Sequence, residues 1–573
     1  MSPGETLTWR EVFFALAFSL PFFVNLGYSQ IWGSEGRWLF ISQRMLETGK
    51  WFEPKLGEMF YGDKPLLSYW AIVLAALPFG QVMEGIARLP SAVSGATTVL
   101  LTSWLGAKLF GRKTAILAAC FLATTASFLL WTRTAAADAM NVAFSTASIC
   151  VYLSWRIRYR SWKPLIFFLL LSIGGHVKGM PAVIVPLGVI AAHMLLSFIE
   201  SFLRIDRKTP IHSKLKDVLR SAAATARKQL PWILAGSLVG ASLYLLPFYL
   251  AYLERGDWEL LRFMYRENFV RAFQGYDHRG AVYEYVKTLP LMFLPWSLWF
   301  PGALGWAAKR FQRHQGFRFG LLCFAVIFLL FTASESRRSY YLLPIFPFAA
   351  VLVAGFFVEM LELPPALAPP GRAWRFLFTM PLRVIGSLLA VGAVILLLGP
   401  LVPGWPGKLL GTLPFATGLG AVLGAAAILF WQSWNQRSER GQVATLVIAA
   451  FLMALYFSTG GDILRQRQLT ERSFAMEIRD RFPALGTPVY FGGVTGRLKY
   501  YLGRGREVDT LQELRQLVEE GKEFFIITER ENLPKLKTAE WLSFREVLRA
   551  ETPSLPPIVK SKPRYFLISC RKK

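Results

Sequence analysis

Apolar runs recur from Val12 to near Phe457, separated by short charged loops, and nothing else in this chain restricts its fold as strongly. Many of them reach the roughly 17–25 residues that a helix needs to cross a bilayer core. In that medium every backbone N–H and C=O must be satisfied within the protein, so a chain of this kind folds as a helical bundle. The balance of residues agrees: of 573, 54% are hydrophobic and only 18% charged, and mean hydropathy is +0.38. A soluble protein carries more charge than this. The 19 Trp and 46 Phe suit the lipid–water boundary.

The formal net charge of +27 has two readings, nucleic-acid binding or basic anchors in cytoplasmic loops. Most Lys and Arg stand in short loops between apolar runs, so no soluble basic face is left for nucleic acid. The cysteines, Cys120, Cys150, Cys323 and Cys570, show no CxxC spacing and support neither a disulfide framework nor a zinc knuckle. No small-residue cleavage site clearly follows the first apolar run, which therefore reads as a retained helix.

Basic loops at Arg112–Lys113, Arg156 to Lys163, Arg204 to Lys228, Lys309 to Arg318 and Arg372 to Arg383, with a weaker one at Arg437 and Arg440, should face the cytoplasm. Alternation then predicts about thirteen spans: roughly 11–29, 88–110, 114–132, 139–155, 163–176, 180–200, 231–252, 286–306, 318–333, 340–360, 383–402, 412–432 and 443–460. Leu66 to Phe79 is apolar but short. Counting it as a span would invert every later basic loop, so it reads as a helix lying on the outer surface. The expected fold is thus an α-helical polytopic membrane domain over 1–463, with a soluble α/β domain over 464–573. The N-terminus should be cytoplasmic and the C-terminal domain periplasmic, in a bacterial inner membrane.

In the tail, "VYFGG" at 489–493, "FFIIT" at 524–528 and "YFLISC" from Tyr565 to Cys570 read as strands. "TLQELRQLVEEGK" from Thr510 reads as a capped amphipathic helix. No catalytic motif stands out there, and a structural or partner-binding cap is the simplest role. Two outer loops, 30–87 and 253–285, are long, and long ordered loops on a compact scaffold usually carry function.

The helix interiors hold almost no ionisable residues, whereas a proton or ion pathway would require acids, His or Arg near the bilayer midplane. The charges gather at the outer helix ends, which suits an enzyme at the outer surface. The first outer loop places Glu35 and Arg37 early, in "WGSEGRW", and Asp63 and Lys64 late, in "YGDKPLL". "WTRTAAADAM" puts Asp138 at an outer helix mouth, "HVKGMP" puts His176 and Lys178 at another, and "SESRRSYYLLP" carries Arg337 and Arg338.

The ordered set of motifs resembles the GT-C glycosyltransferases, and among them the aminoarabinose lipid A transferases and the protein O-mannosyltransferases. The first-loop pattern of Glu35, Arg37, Met45–Leu46, Gly49 and Tyr61 to Pro65 carries that resemblance. Arg133 to Asp138, "KGMP", "FLPW" at 293–296 and "YLLP" at 341–344 extend it, covering roughly residues 10–360. The resemblance implies transfer of a sugar from a polyprenyl phosphate to an acceptor outside the cytoplasm: lipid A, another glycolipid, a polysaccharide or a protein. The leaving lipid phosphate needs cations, and Arg37, Lys64, Lys178 and Arg337 are available, with Asp63 paired to Lys64. The acceptor hydroxyl must lose a proton, for which Asp138 and Glu35 are the candidates. One carboxylate could instead hold a divalent cation.

One position departs from the family pattern. Where relatives carry an aspartate before the glutamate, this chain has Ser34, so the acid role must fall to Glu35 or Asp138. Plainer roles stay open: Asp138 as a helix cap, Lys178 and Arg112 as interface anchors, and His278 and Asn268 as loop residues. Two other functions also remain, a transporter or flippase of a lipid-linked glycan and a catalytically silent scaffold. A flippase would be expected to show a charged internal cavity and an internal repeat, and neither is visible.

Overall fold

The computed structural model describes residues 6–57, 59–157, 162–205, 211–270, 280–362, 371–401, 413–460, 471–483, 487–503, 505–519, 524–550 and 565–572. The expected boundary at 463/464 and the loop residue His278 lie outside them. Among the described residues, seven helices are long and apolar enough to cross a membrane, or eight if one bent pair counts as a single span. The remaining expected spans form helices that are shorter, broken or less apolar, so about thirteen is not reached by that measure.

The breaks have local causes. Thr8 caps the helix Trp9–Phe18, with the Glu11 carboxylate accepting from Thr8 N at 2.7 Å. The helix does not run on to 29. It gives way to a 3₁₀ turn at Leu20–Phe22, where Pro21 supplies no N–H, and Asn25 then adopts a left-handed conformation. The expected span 114–132 is two helices, Arg112–Ala123 and Ala126–Thr132, bent by 68°. At the bend Thr124 and Thr125 turn their hydroxyls back to the Cys120 and Phe121 carbonyls, at 2.7 and 2.6 Å. Ala126 N donates instead to Leu294 O at 2.9 Å. The expected span 286–306 is likewise split, into Glu284–Met292 and Phe300–Arg310 with a 3₁₀ turn at Trp296–Trp299 between them. Residues 211–230, expected as loop, belong to one 45-residue helix, Ile211–Arg255.

Burial separates core from periphery more sharply than hydropathy does. In the stretch Ser339–Glu362, 89% of the most apolar window is buried, against 22% in Pro181–Arg204 and in Gln229–Arg255. The helix Phe346–Glu362 carries Ala349, Ala350, Ala354 and Gly355, small residues that let neighbouring backbones approach. The exposed Leu234, Leu238 and Leu245 face outward, where lipid would cover them. The first loop holds a helix at Glu35–Thr48, a two-residue antiparallel ladder between β1 (Lys55–Leu56) and β2 (Met59–Phe60), and the helix Leu66–Ala76.

The tail is a five-stranded mixed sheet of β3 (Val489–Phe491), β4 (Arg506–Val508), β5 (Phe524–Glu529), β6 (Leu542–Arg549) and β7 (Tyr565–Lys572), in the order β4-β3-β5-β7-β6. β3 runs parallel to β4 and β5, while β7 is antiparallel to β5 and β6. This domain sits directly on the first loop. Ile31 N donates to the Tyr501 hydroxyl at 3.1 Å, Tyr500 donates to Val82 O at 2.8 Å, and Arg472 N donates to Gln30 Oε1 at 3.2 Å. Gly36 lies so close to the Gly496–Arg497 backbone that a Cβ on it would stand 2.6 Å from Arg497 N.

Candidate active site

Asp138 opens the helix Ala137–Ile157, and Lys178 ends the helix Lys163–Lys178. Their side chains form an ion pair, largely screened from solvent. The Lys178 ammonium also lies over the rings of Tyr340 and Tyr341, 5.5 and 5.0 Å from their centroids. Tyr340 in turn packs on Trp131 at 4.3 Å between ring centroids. A carboxylate at a helix start suits the positive end of the helix dipole.

The chain reverses sharply just after Lys178. Gly179 has φ +87°, and a Cβ there would collide with Asn268 Oδ1. Glycine is therefore required twice over, by backbone conformation and by space. Asn268 accepts from Met180 N at 2.8 Å and donates to Met264 O at 2.8 Å. The preceding residue, Glu267, pairs with Lys64 at 3.8 Å, and Arg266 pairs with Asp63 at 3.8 Å. The segment 266–268 thus ties the Asp63–Lys64 corner of the first loop to the turn that carries Lys178. Arg255 secures the start of this second loop, reaching Glu53 at 3.6 Å and Glu259 at 2.6 Å and lying over the Phe60 ring at 3.8 Å.

Arg37 projects from the first turn of Glu35–Thr48 and donates to the Tyr61 hydroxyl, with its guanidinium 5.2 Å from that ring's centroid. Burial pushes the Tyr61 phenol up to about 12, Arg37 opposing that shift and Asp63 adding to it. Tyr61 therefore stays protonated and can donate to Asp63. Arg337 donates to Gly280 O and, at 2.9 Å, to Thr332 O. The Nε groups of Arg37 and Arg337 are both buried with no hydrogen-bond partner among the described residues. Such donors cost free energy unless something accepts from them.

Glu35 faces another way. It is fully buried, and its oxygens accept from Arg88 Nε and Nη2 at 2.8 Å, Trp32 N at 2.9 Å and Ala135 N at 2.7 Å. Ser34, at the N-cap of the same helix, is exposed and makes no capping bond. Arg133 donates to Pro21 O, Val24 O and Ser458 O at 2.7, 2.6 and 3.1 Å. The structure thus brings Asp138 and Lys178 into contact, Arg37, Tyr61 and Asp63 into a second group, and Lys64 within reach of Glu267. Arg337 touches neither group directly.

Sequence reasoning missed Arg88, Glu267 and Tyr340, and gave Tyr61 and Tyr341 no role beyond their places in the motifs. For Arg88 a signal existed: an arginine followed by an apolar span is expensive unless it has a partner. Among the described residues no three His, Cys, Asp or Glu side chains gather as a metal site.

Comparisons with known proteins point one way. The family model described as dolichyl-phosphate-mannose-protein mannosyltransferase matches residues 33–253. An uncharacterized protein of Aquifex aeolicus (strain VF5) is 26% identical over 345 residues, covering 58% of this chain and 61% of that protein's length. The undecaprenyl phosphate-alpha-4-amino-4-deoxy-L-arabinose arabinosyl transferase 1 of Sodalis glossinidius (strain morsitans) is 27% identical over 484 residues, 81% of this chain and 76% of the relative. The crystal structure of ArnT from Cupriavidus metallidurans bound to undecaprenyl phosphate superposes with a TM-score of 0.73 at 17% identity, covering 98% of both chains. The chain is therefore a helical membrane protein that shares the fold of that Cupriavidus metallidurans protein and carries a small C-terminal α/β domain, resembling the aminoarabinose transferases in both sequence and architecture.

Proposed function

We propose that this protein is an integral-membrane glycosyltransferase, moving a hexose- or pentose-type sugar from a polyprenyl-phosphate donor to an acceptor outside the cytoplasm. The observation that carries the reading is the Asp138–Lys178 pair at two helix ends, tied through Asn268 and Glu267 to Lys64. In the reaction, an acceptor oxygen bonds to the anomeric carbon while the carbon–oxygen bond to the lipid phosphate breaks. The acceptor proton passes to Asp138, and the polyprenyl phosphate leaves with the bonding electron pair. Lys64, Lys178, Arg37 and Arg337 hold its charge, the buried Nε donors of the two arginines supplying unused hydrogen bonds. Among the described residues, Asp63 and Lys64 do not pair with each other as the sequence suggested: Asp63 takes Arg266 and orients Tyr61, while Glu267 orients Lys64. Glu35 acts as an anchor rather than a base, because both its oxygens are engaged and no acceptor can reach them. The site faces the periplasm of an inner membrane, with the N-terminus cytoplasmic.

The test is incubation of the purified protein with labelled polyprenyl-phosphate sugars and membrane extract. Label should pass to a lipid, glycan or protein product in wild type and not in Asp138→Asn. Donor that stays intact with every extract would overturn the reading.

A further inference from the structure

A cavity of about 470 Å³ opens between the soluble domain and the first loop. That is within the range of about 300–1,000 Å³ typical of small-molecule sites. Its charged lining is Arg44, Arg472, Arg479 and Lys499 with Glu47 and Glu84, four cations to two carboxylates. It is distinct from the Asp138–Lys178 site. On the shared helix Glu35–Thr48, Arg44 lies nine residues beyond Glu35, about 13 Å along the axis.

The cations are not equivalent. Lys499 is buried and pairs with Glu507 at 2.9 Å, and Arg44 donates to Gly57 O. Arg472 and Arg479 stand seven residues apart on Glu471–Arg481, which puts them on one face of that helix. Neither guanidinium has a carboxylate partner among the described residues. Elsewhere in this domain Arg481 pairs with Glu477 at 2.9 Å, Arg497 with Glu471 at 2.8 Å and Arg515 with Glu519 at 3.2 Å. Both unmatched charges border the same cavity, beside the rings of Tyr500 and Tyr501. The Tyr500 hydroxyl donates to Val82 O and the Tyr501 hydroxyl accepts from Ile31 N, so the rings stand as fixed walls. Two guanidinium forks beside aromatic faces suit a phosphate group carried on a sugar or a polar headgroup.

We propose that this cavity is a binding site for a phosphate-bearing ligand, gripped by Arg472 and Arg479. The ligand could be a soluble sugar phosphate or the headgroup of an anionic lipid. The site does not depend on the transfer reaction, so its test is a binding measurement that stands whether or not the glycosyltransferase reading survives.

The whole protein is placed in nanodiscs of neutral phosphatidylcholine and titrated calorimetrically with glucose 6-phosphate and with glucose. A parallel set of discs contains anionic phosphatidylglycerol, and native mass spectrometry counts the lipid retained by the released protein. The test variant is Arg472→Glu with Arg479→Glu. The control is Arg481→Glu with Arg515→Glu, the same change of charge away from the cavity. A soluble ligand predicts binding of glucose 6-phosphate but not glucose, weakened at least about tenfold in the test variant and little changed in the control. A lipid ligand predicts retained phosphatidylglycerol in wild type and control, lost in the test variant. If wild type and test variant are indistinguishable in both sets, or glucose binds as well as its phosphate, the proposal fails.

Discussion

Glu35 and Arg88 form an ion pair in which both side chains are sealed from solvent, at 0% and 1% exposure. Arg88 spends its other donors on Leu26 O, Ser29 O and Oγ, and Gln30 O. Glu35 also takes Ala135 N, three residues before Asp138. This one pair thus joins the end of the first helical segment, the first-loop helix and the turn leading into the candidate base. Removing one partner of such a pair leaves a buried charge, at a cost of about 3–5 kcal/mol. Arg88→Met should therefore lower the thermal midpoint of the detergent-solubilised protein far more than Arg88→Lys. Equal midpoints for the two variants would show that the pair holds nothing together.

The reading of Asp138 as base predicts that Asp138→Asn lowers transfer about 10²–10⁴-fold at equal membrane abundance. Glu35→Gln should instead act mainly on abundance and thermal midpoint, with turnover per folded molecule much less affected. The comparison is of initial rates normalised to folded protein. A larger rate loss in Glu35→Gln than in Asp138→Asn would exchange the two roles.

Asn268 fixes the turn after Lys178 without being placed on the donor itself. Asn268→Ala leaves Met180 N without its acceptor, a loss of about 1–3 kcal/mol of local order. Donor KM should rise several-fold while the thermal midpoint moves little. An unchanged KM would detach this loop from donor binding.

At Gly36 the soluble domain meets the first loop backbone to backbone. Gly36→Val should force the two apart and make the described elements of the soluble domain easier to cleave with protease. Limited proteolysis of the folded protein reads this directly, and a cleavage rate equal to wild type would mean that the contact is dispensable.

Orientation is checked by single cysteines at two exposed positions, Arg220 and Glu519, after replacement of the native cysteines. In intact spheroplasts an impermeant reagent should label Glu519→Cys and spare Arg220→Cys. The reverse pattern would place the soluble domain, and the candidate site with it, in the cytoplasm.

Charge alternation and apolar runs located most of the helices, since lipid demands long apolar stretches whatever they pack against. The breaks were not visible, because they rest on distant partners: Trp296 Nε1 donates to Thr124 Oγ1 at 3.0 Å, and Leu294 O accepts Ala126 N. Nor could hydropathy tell the central Phe346–Glu362 from helices facing lipid, as both surroundings favour apolar side chains. β4 and β6 escaped notice because "REV" is short and half exposed, and "LSFREVLR" mixes charge with apolar residues. Asp138 and Lys178 were marked by their place at helix ends. Glu35 was marked too, but its neighbours in space, Arg88 and Ala135, come from stretches that no local pattern links to it.

Arg133 gathers carbonyls from two segments far apart in sequence, and the residues around Glu35 rest on a domain made long after them. Ile31 meets Tyr501 across 470 positions, and Arg133 meets Ser458 across 325. During synthesis the first loop leaves the ribosome long before its supports exist. The turn bearing Asp138 acquires its contact with Ser458 only once that helix is in place, and the first loop its contact with Tyr501 only once the soluble domain has folded. Maturation of this protein is thus completed late, and a chain stalled before about Ser458 would hold a membrane position without a finished site.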